Sequence, residues 1–459
     1  MKRILIRAAK HPFEPVSALG TIKRRTIATN VGNLLFSDAV FKHLTTPEVE
    51  VHINGPQLNG DPRDAERINE EYDAFVVPLA NAFRPSFKGP LSQMTKLIKR
   101  LRIPVVVPGV GAQTGLAGDL ERLKAVEEEV IEFVRAVLDR SATMGVRGEL
   151  TADYLASLGF KDHVEVIGCP AMFAHGKGFR IEKKVDKLTA DSSVALSYSP
   201  ASRGLGAFQE LVESMLSEYS DLTYFPQNDV DLEMLYWGDT SRQSDLATSG
   251  TARNLADPIL RGTRAVFPID PRPWMDDLAE RDFAIGTRIH GNMAAILAGT
   301  PAYVMAHDSR TLELARYLGI PHRDLSKLEA GATAADLYEE LDFSGFNAGY
   351  YERYERYIAF LTANGLDNCF DHGDGGAGFE RRKRETNFPR LVESWADTVD
   401  EGIAERIAWL NERVSATEKL EKRVAELEAT VKRQGNRRAD ASLRQQVARR
   451  MKRIKRRLR

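Results

Sequence analysis

The segment GTRIHGNMAAILAGTPAYVMAHDSRTLELARYLGIPH, Gly286–His322, decides the fold. It follows the apolar run FAI and reads as strand end, helix, second strand, second helix, with polar residues gathered where each strand gives way to its helix. Short β-branched runs that alternate with helices build parallel sheets covered on both faces, and ligands settle beyond the carboxyl ends of such strands. Arg288 and His290 hold the first of these positions, and His307, Asp308 and Arg310 hold the second. A helix starting there offers unpaired N–H groups and a positive dipole end to an anion, so with Arg288 beside it this is a phosphate or carboxylate site. His290 can exchange a proton near neutral pH. Arg-X-His alone more often marks a salt-bridged arginine and a core histidine. Its place at one of two adjacent strand ends is what favours a site.

Working outward, the first 340 residues repeat this alternation. Strands are predicted at Ile4–Ile6, Ala74–Pro78, Val105–Pro108, Val164–Ile167, Val194–Tyr198, Leu222–Phe225, Ala265–Pro268, Phe283–Ile285 and Ala302–Met305. Helices are predicted between most of them, including Leu120–Leu138, whose apolar residues recur at spacings of three and four, and Phe208–Tyr219, which leads directly into the strand LTYFPQ. The polar stretch 175–192 reads as a linker, giving Rossmann-like domains at 1–175 and 190–340 that meet at a cleft. Residues 341–400 form a helical and glycine-rich closing segment. In 401–433, Ile403, Ile407, Leu410 and Val414, then Leu420, Val424, Leu427 and Val431, follow a coiled-coil spacing, with a self-associating stalk or a helix folded back on the body as the two outcomes.

The composition belongs to an ordinary globular protein: 459 residues, 43% hydrophobic and 28% charged, with two cysteines. No apolar run is long enough for a membrane-spanning helix and no signal peptide is read, so a cytoplasmic location is expected. The net charge of −1 conceals two parts, a tail at 437–459 carrying +10 and a body carrying −11. In that tail Leu443, Val447, Met451, Ile454 and Leu458 recur at helical spacing among arginines and lysines. A basic amphipathic helix suits an anionic membrane surface, here the inner face of the cell membrane, with a solvated helix as the rival. The tail lacks the interleaved aromatics that stack on single strands, so no nucleic acid is expected.

The order of motifs resembles the polysaccharide pyruvyl transferase family. Asn30-Val-Gly-Asn-Leu-Leu, Val105-Val-Val-Pro-Gly-Val-Gly, Val146-Arg147-Gly-Glu, Gly168-Cys169-Pro170-Ala171 and the Gly286–Pro321 segment occur in the family's succession over about residues 1–330. The resemblance implies a two-domain fold of the GT-B type and transfer of pyruvate from phosphoenolpyruvate to sugar hydroxyls of a cell-surface or exopolysaccharide precursor. By position, Arg147 and Arg288 match arginines that hold the donor, and His290 matches the general acid. Two departures, Pro108 before the glycine turn and Cys169 where the family often has Asp, affect the local turn shape.

The candidate set is therefore His290 as catalytic acid, with Arg147, Arg288, Asn30, Gly32, Asn33, Gly291, Asp308 and Arg310 for substrate. Asn30, Gly32 and Asn33 precede a helix and either present N–H groups to a ligand or only cap it. Gly109 and Gly111 lack the full dinucleotide fingerprint and read as a tight turn. Arg203 reads as a loop residue by default, and Trp237 and Trp274 as core packing. Phosphoenolpyruvate is the donor, a glycan, in one version lipid-linked, is the acceptor, and neither cofactor nor metal is called for, since Asp38, Asp270 and Asp308 lack metal-ligand spacing. Two rival readings stand: a GT-B glycosyltransferase using a nucleotide sugar, and a non-catalytic scaffold of a polysaccharide-synthesis complex.

Overall fold

Alternate residues of one short strand enter two different cores. In β1, Lys2–Ile6, the side chains of Ile4 and Ile6 join one apolar cluster and Leu5 joins another, as the two-residue period of a strand requires. The computed structural model describes residues 1–55, 58, 60–199, 202, 206–239, 252, 257–261, 263–394, 419–428 and 441–458.

With β2 at Val49–Ile53, β3 at Ala74–Val76 and β4 at Val105–Val106, β1 forms a parallel sheet in the order β2-β1-β3-β4. A second parallel pair, β5 at Met144–Val146 and β6 at Val164–Val166, is joined to it by a bridge between Val110 and Val146. The second sheet contains β7 at Ser193–Ser197, β8 at Asp221–Tyr224, β9 at Arg264–Phe267, β10 at Phe283–Gly286, β11 at Ala302–Ala306, β12 at His322–Asp324 and β13 at Val392–Glu393. Its order is β12-β11-β10-β7-β8-β9-β13, parallel except where β13 runs against β9. All nine predicted strands are present. The chain is thus a pair of Rossmann-like α/β lobes of the GT-B type.

Each sheet changes winding direction once, between β1 and β3 in the first lobe and between β7 and β10 in the second. Such a switch opens a crevice at the carboxyl ends of the strands. The helices that bear on the cleft are α1 at Gly32–Leu44, α2 at Glu127–Leu138, α3 at Glu149–Ser157, α4 at Asp229–Trp237, α5 at Ile289–Leu297 and α6 at Ser309–Leu318. Helix α1 is buried along nearly its whole length, Asp38, Lys42 and His43 included. One apolar cluster accordingly runs through both lobes, from Ile4, Val31 and Leu34 to Val194, Ile289 and Met293.

One helix differs from its prediction. Leu120–Val126 is a 3₁₀ segment, and the α-helix begins only at Glu127. Val126 breaks the run with φ −129° and ψ 4°, and Glu127, Glu128 and Glu129 then occupy the first α-helical turn, where the helix dipole favours acids. Stretch 175–192 is polar yet anchored. Lys184 donates to the carbonyl of Arg281 and the hydroxyl of Thr300, both at 2.8 Å.

After the second lobe, helix α7 at Ser344–Ala363 packs back on the first, where Tyr350 donates to the carbonyls of Met172 and Gly176 and the Tyr357 hydroxyl lies 2.9 Å from His43 Nδ1. Helix α8 at Ala377–Glu385 then inserts Lys383 between the lobes. Its ammonium meets Asp38 at 3.0 Å and Asp270 at 3.2 Å, and Asp270 also holds Lys10 at 2.5 Å. All four charges are buried, and they balance. Of the expected coiled coil, only 419–428 lies among the described residues. The basic tail is helical over Ala441–Leu458, here α9, with Lys455 paired to Glu428 at 3.1 Å and Val447, Met451 and Ile454 half-buried. No helix among the described residues is long and apolar enough to cross a membrane.

Candidate active site

Three seams stitch the lobes around the cleft. In the first, Val31 N–H donates to the Gln227 carbonyl at 3.1 Å, and Asn30 and Asn228 form a bridge. In the second, Thr114 N–H donates to Ser309 Oγ at 3.0 Å, and Gln113 Nε2 to Asp308 Oδ2 at 3.2 Å. In the third, Glu313 of α6 accepts from the backbone N–H of Thr151 at 3.1 Å and from its hydroxyl at 2.9 Å.

Between these seams lie residues from both sheets. Arg288 follows β10 as the N-cap of α5, and His290 stands in its first turn. Gly286, with φ +156°, lets the chain leave the strand against Ser197: a Cβ there would lie 1.6 Å from the Ser197 carbonyl oxygen. The His290 ring lies over the start of α1, stacked on Phe36 with centroids 6.1 Å apart and planes at 18°. Arg147, after β5, places its guanidinium carbon 5.6 Å from the centroid of the same Phe36 ring. One phenyl group thus joins an arginine of the first lobe to a histidine of the second.

Neutral oxygens hold Arg147 and Arg288 among the described residues. Arg147 is 1% exposed, and its Nε donates to the Gly109 carbonyl at 2.8 Å. Arg288 Nη2 donates to Asn228 Oδ1 at 2.8 Å. Arg310 pairs with the Asp308 carboxylate at 3.0 Å. Asn81, with its amide oxygen turned to them, accepts from Arg310 at 3.0 Å and Arg84 at 2.8 Å. Arg147 Nη1 and the Nε atoms of Arg84, Arg288 and Arg310 are buried with no hydrogen-bond partner among the described residues. Buried donors left open in this way favour an anion that accepts from them.

The same field sets the acid–base properties. Burial lowers the His290 pKa well below its ordinary value, and Arg147, Arg310 and Arg288 lower it further. The ring is neutral at neutral pH, and its buried Nε2 has no partner among the described residues. His307 is pushed down to about 4, chiefly by burial, and faces Ser199 Oγ at 3.3 Å. Burial would raise Asp308, but Arg310, His307 and the Thr311 donors prevail and hold it at about 2. It therefore serves as a fixed negative charge that caps α6 through Thr311. Burial raises Glu313 to about 7.

Of the candidate residues, Arg147, Arg288, His290, Asp308 and Arg310 come together in this cleft. Gly32 lies directly beneath the His290 ring, and Asn30 orients it by accepting the Gly32 N–H at 2.8 Å. Gly291 is required by contact: a Cβ there would stand 2.3 Å from Ser197 Oγ and 2.6 Å from Gln227 Nε2. Asn33 turns away, its amide donating to the Ile27 carbonyl at 3.3 Å, so it closes its own loop. Arg203 lies outside the described residues. The sequence reading omitted Asn81, Arg84, Gln113, Asn228 and Glu313. All but Glu313 follow strands, in LANAFR, GAQT and FPQN, where the rule used for Arg288 would have found them. Among the described residues no group of three His, Cys, Asp or Glu side chains is placed to hold a metal ion.

Fold and site together define a two-lobed α/β protein with an arginine-lined cleft and a neutral histidine at its centre. The family model for polysaccharide pyruvyl transferase matches residues 30–309, and the chain belongs to that family. No curated protein matches the sequence. Among solved structures, it is similar to UDP-GlcNAc 2-epimerase of Methanocaldococcus jannaschii, at 10% identity over 83% of this chain and 99% of that one, with TM-score 0.40. The Neisseria meningitidis UDP-GlcNAc 2-epimerase matches at 10% identity over 84% and 100% of the two chains, with TM-score 0.37. A kitacinnamycin glycotransferase matches at 12% identity over 84% and 99%, with TM-score 0.33.

Proposed function

We propose that the protein transfers pyruvate from phosphoenolpyruvate to the hydroxyls of a polysaccharide precursor, forming a ketal. The observation that carries this reading is the positive charge of Arg147, Arg310 and Arg288 acting together on His290, with a buried guanidinium donor on each that has no partner among the described residues. Phosphoenolpyruvate carries a carboxylate and a phosphate close together, and planar guanidinium groups pair with either in two parallel hydrogen bonds.

In this mechanism the donor supplies the condition for its own activation. Burial and the arginines keep His290 neutral; the donor's negative charge offsets the arginines, so the imidazole takes up a proton as the donor binds. His290 then gives that proton to the methylene carbon of the enol, which becomes the methyl group of the product. The cationic carbon beside it is attacked by a sugar hydroxyl, whose proton passes back to His290. The C–O bond to phosphate breaks with both electrons going to phosphate, under arginine and helix N–H groups. A second hydroxyl of the sugar attacks the same carbon and closes the ketal, and its proton leaves with the phosphate.

No step needs a metal or cofactor. The acceptor is a glycan, in one form lipid-linked, and α9 would bring the enzyme to anionic lipid through Arg449, Arg450, Lys452 and Arg453, all exposed. The coiled coil would pair two copies of the chain. Running the reaction in heavy water tests the chemistry: one deuterium in the product methyl group is expected, and a product without deuterium rejects protonation at carbon. Flotation with anionic vesicles tests the tail. Loss of binding on removing 437–459 is expected, and equal flotation of both forms rejects it.

A further inference from the structure

Glu313 is a carboxyl group that the mechanism above does not use. It is 7% exposed and forms no ion pair among the described residues. It belongs to the second lobe, yet both its oxygens engage Thr151 of the first. Thr151 is the third residue of α3, whose N-cap, Gly148, has no side chain to accept the free amides of the first turn. Glu313 supplies that acceptor from across the cleft.

The surroundings are built to admit it. Gly148 has extended backbone, so space rather than conformation requires a glycine there: a Cβ would stand 2.9 Å from Glu313 Oε2 and 3.0 Å from its Cβ. The Thr151 hydroxyl also accepts from Ala112 N–H at 3.0 Å, in the turn whose Gly109 carbonyl holds Arg147 Nε. Arg147 is the residue immediately before Gly148. Glu313 thus touches one end of the Arg147 support directly, at Gly148 and Thr151, and reaches the other through the bond between Thr151 and Ala112.

We propose that Glu313 is a positioning residue of the anion site, clamping from the second lobe the first-lobe turn that presents Arg147, and that its negative charge opposes an anionic donor held there. The inference deepens the proposed function and rests on the anion-binding part of it. The hydroxyl of Thr151 can donate to a carboxylate or accept from a carboxylic acid, so the clamp holds in either protonation state. The group is poised to change state near neutral pH, where burial has raised it to about 7.

Among the described residues the charged groups that act on it are Arg147 on the first lobe and Asp308 at the start of its own helix. Asp308 stays ionised across the working range, and arginine keeps its proton in proteins. Binding an anion beside Arg147 and ionising Glu313 therefore oppose each other, and affinity falls as pH rises through the titration of Glu313.

Sulfate is the probe, because it remains a dianion throughout. Its dissociation constant, measured between about pH 5.5 and 8.5, is expected to rise about tenfold in the wild type. In Glu313→Gln, which keeps an acceptor for Thr151, the rise is expected to be several-fold smaller, because only the proton that His290 takes up with the anion remains. The same tenfold rise in that variant overturns the proposal, as does failure of the wild type to bind sulfate. If the variant does not fold, carbon-13 carboxyl NMR of the wild type reads the same linkage. Sulfate must raise the midpoint of one buried glutamate, and an unmoved midpoint overturns the proposal. A protein that shows this sulfate behaviour yet ignores phosphoenolpyruvate rejects the donor reading and leaves the role of Glu313 in place.

Discussion

The imidazole of His290 lies against the backbone of Gly32, so near that a Cβ on residue 32 would stand 2.6 Å from its Nδ1. A residue of the second lobe is thus seated on helix α1 of the other. Alanine is the better helix former, so Gly32→Ala carries no penalty of propensity. Its methyl group must instead displace the ring. Transfer is expected to fall about a hundredfold while the melting temperature changes little, because a catalytic group moved by an ångström loses that much. Steady-state kinetics and a thermal melt on the same preparation check this.

Arg288→Lys keeps a positive charge and loses the planar fork that now reaches Asn228 at 2.8 Å. The KM for phosphoenolpyruvate should rise about tenfold or more. An unchanged KM would remove Arg288 from the donor site.

Both lobes were legible in the sequence because buried parallel strands are short, apolar and β-branched, and all nine predicted runs are strands. The missed strands, β2, β5, β12 and β13, are mixed in polarity, glycine-interrupted or only two or three residues long, and their neighbours define them. Site residues at strand ends were visible for the same reason as the strands. Glu313 was not. It sits in the middle of SRTLELARYL as an ordinary helical glutamate, and only the packing of α6 on α3 buries it. The neutrality of His290 was equally hidden, since it depends first on burial and then on Arg147 and Arg310, which only the fold brings beside it and Arg288.

Proton uptake on binding follows from that neutrality. A histidine held below its ordinary pKa is unprotonated near pH 7, and an anion among its arginines raises the value, so binding must draw a proton from solution. Calorimetry in buffers of different ionisation enthalpy should show this uptake near neutral pH. His290→Ala should bind the donor with measurably less uptake, and equal uptake in both would contradict the mechanism.

Lys383 ties the closing segment to both lobes through Asp38 and Asp270. Lys383→Met leaves those carboxylates buried with only Lys10 to share, and breaking a buried pair in this way costs about 3–5 kcal/mol. Urea denaturation should show a loss of that size.

The central claim is that one polyanionic donor is held jointly by an arginine from each lobe. It is tested most directly by titrating phosphoenolpyruvate, and separately a nucleotide sugar, into the wild type and into Arg147→Ala/Arg288→Ala. The account predicts that the wild type binds phosphoenolpyruvate, that the double variant does not, and that the nucleotide sugar binds neither. Saturable binding of the nucleotide sugar by a wild type indifferent to phosphoenolpyruvate would contradict it.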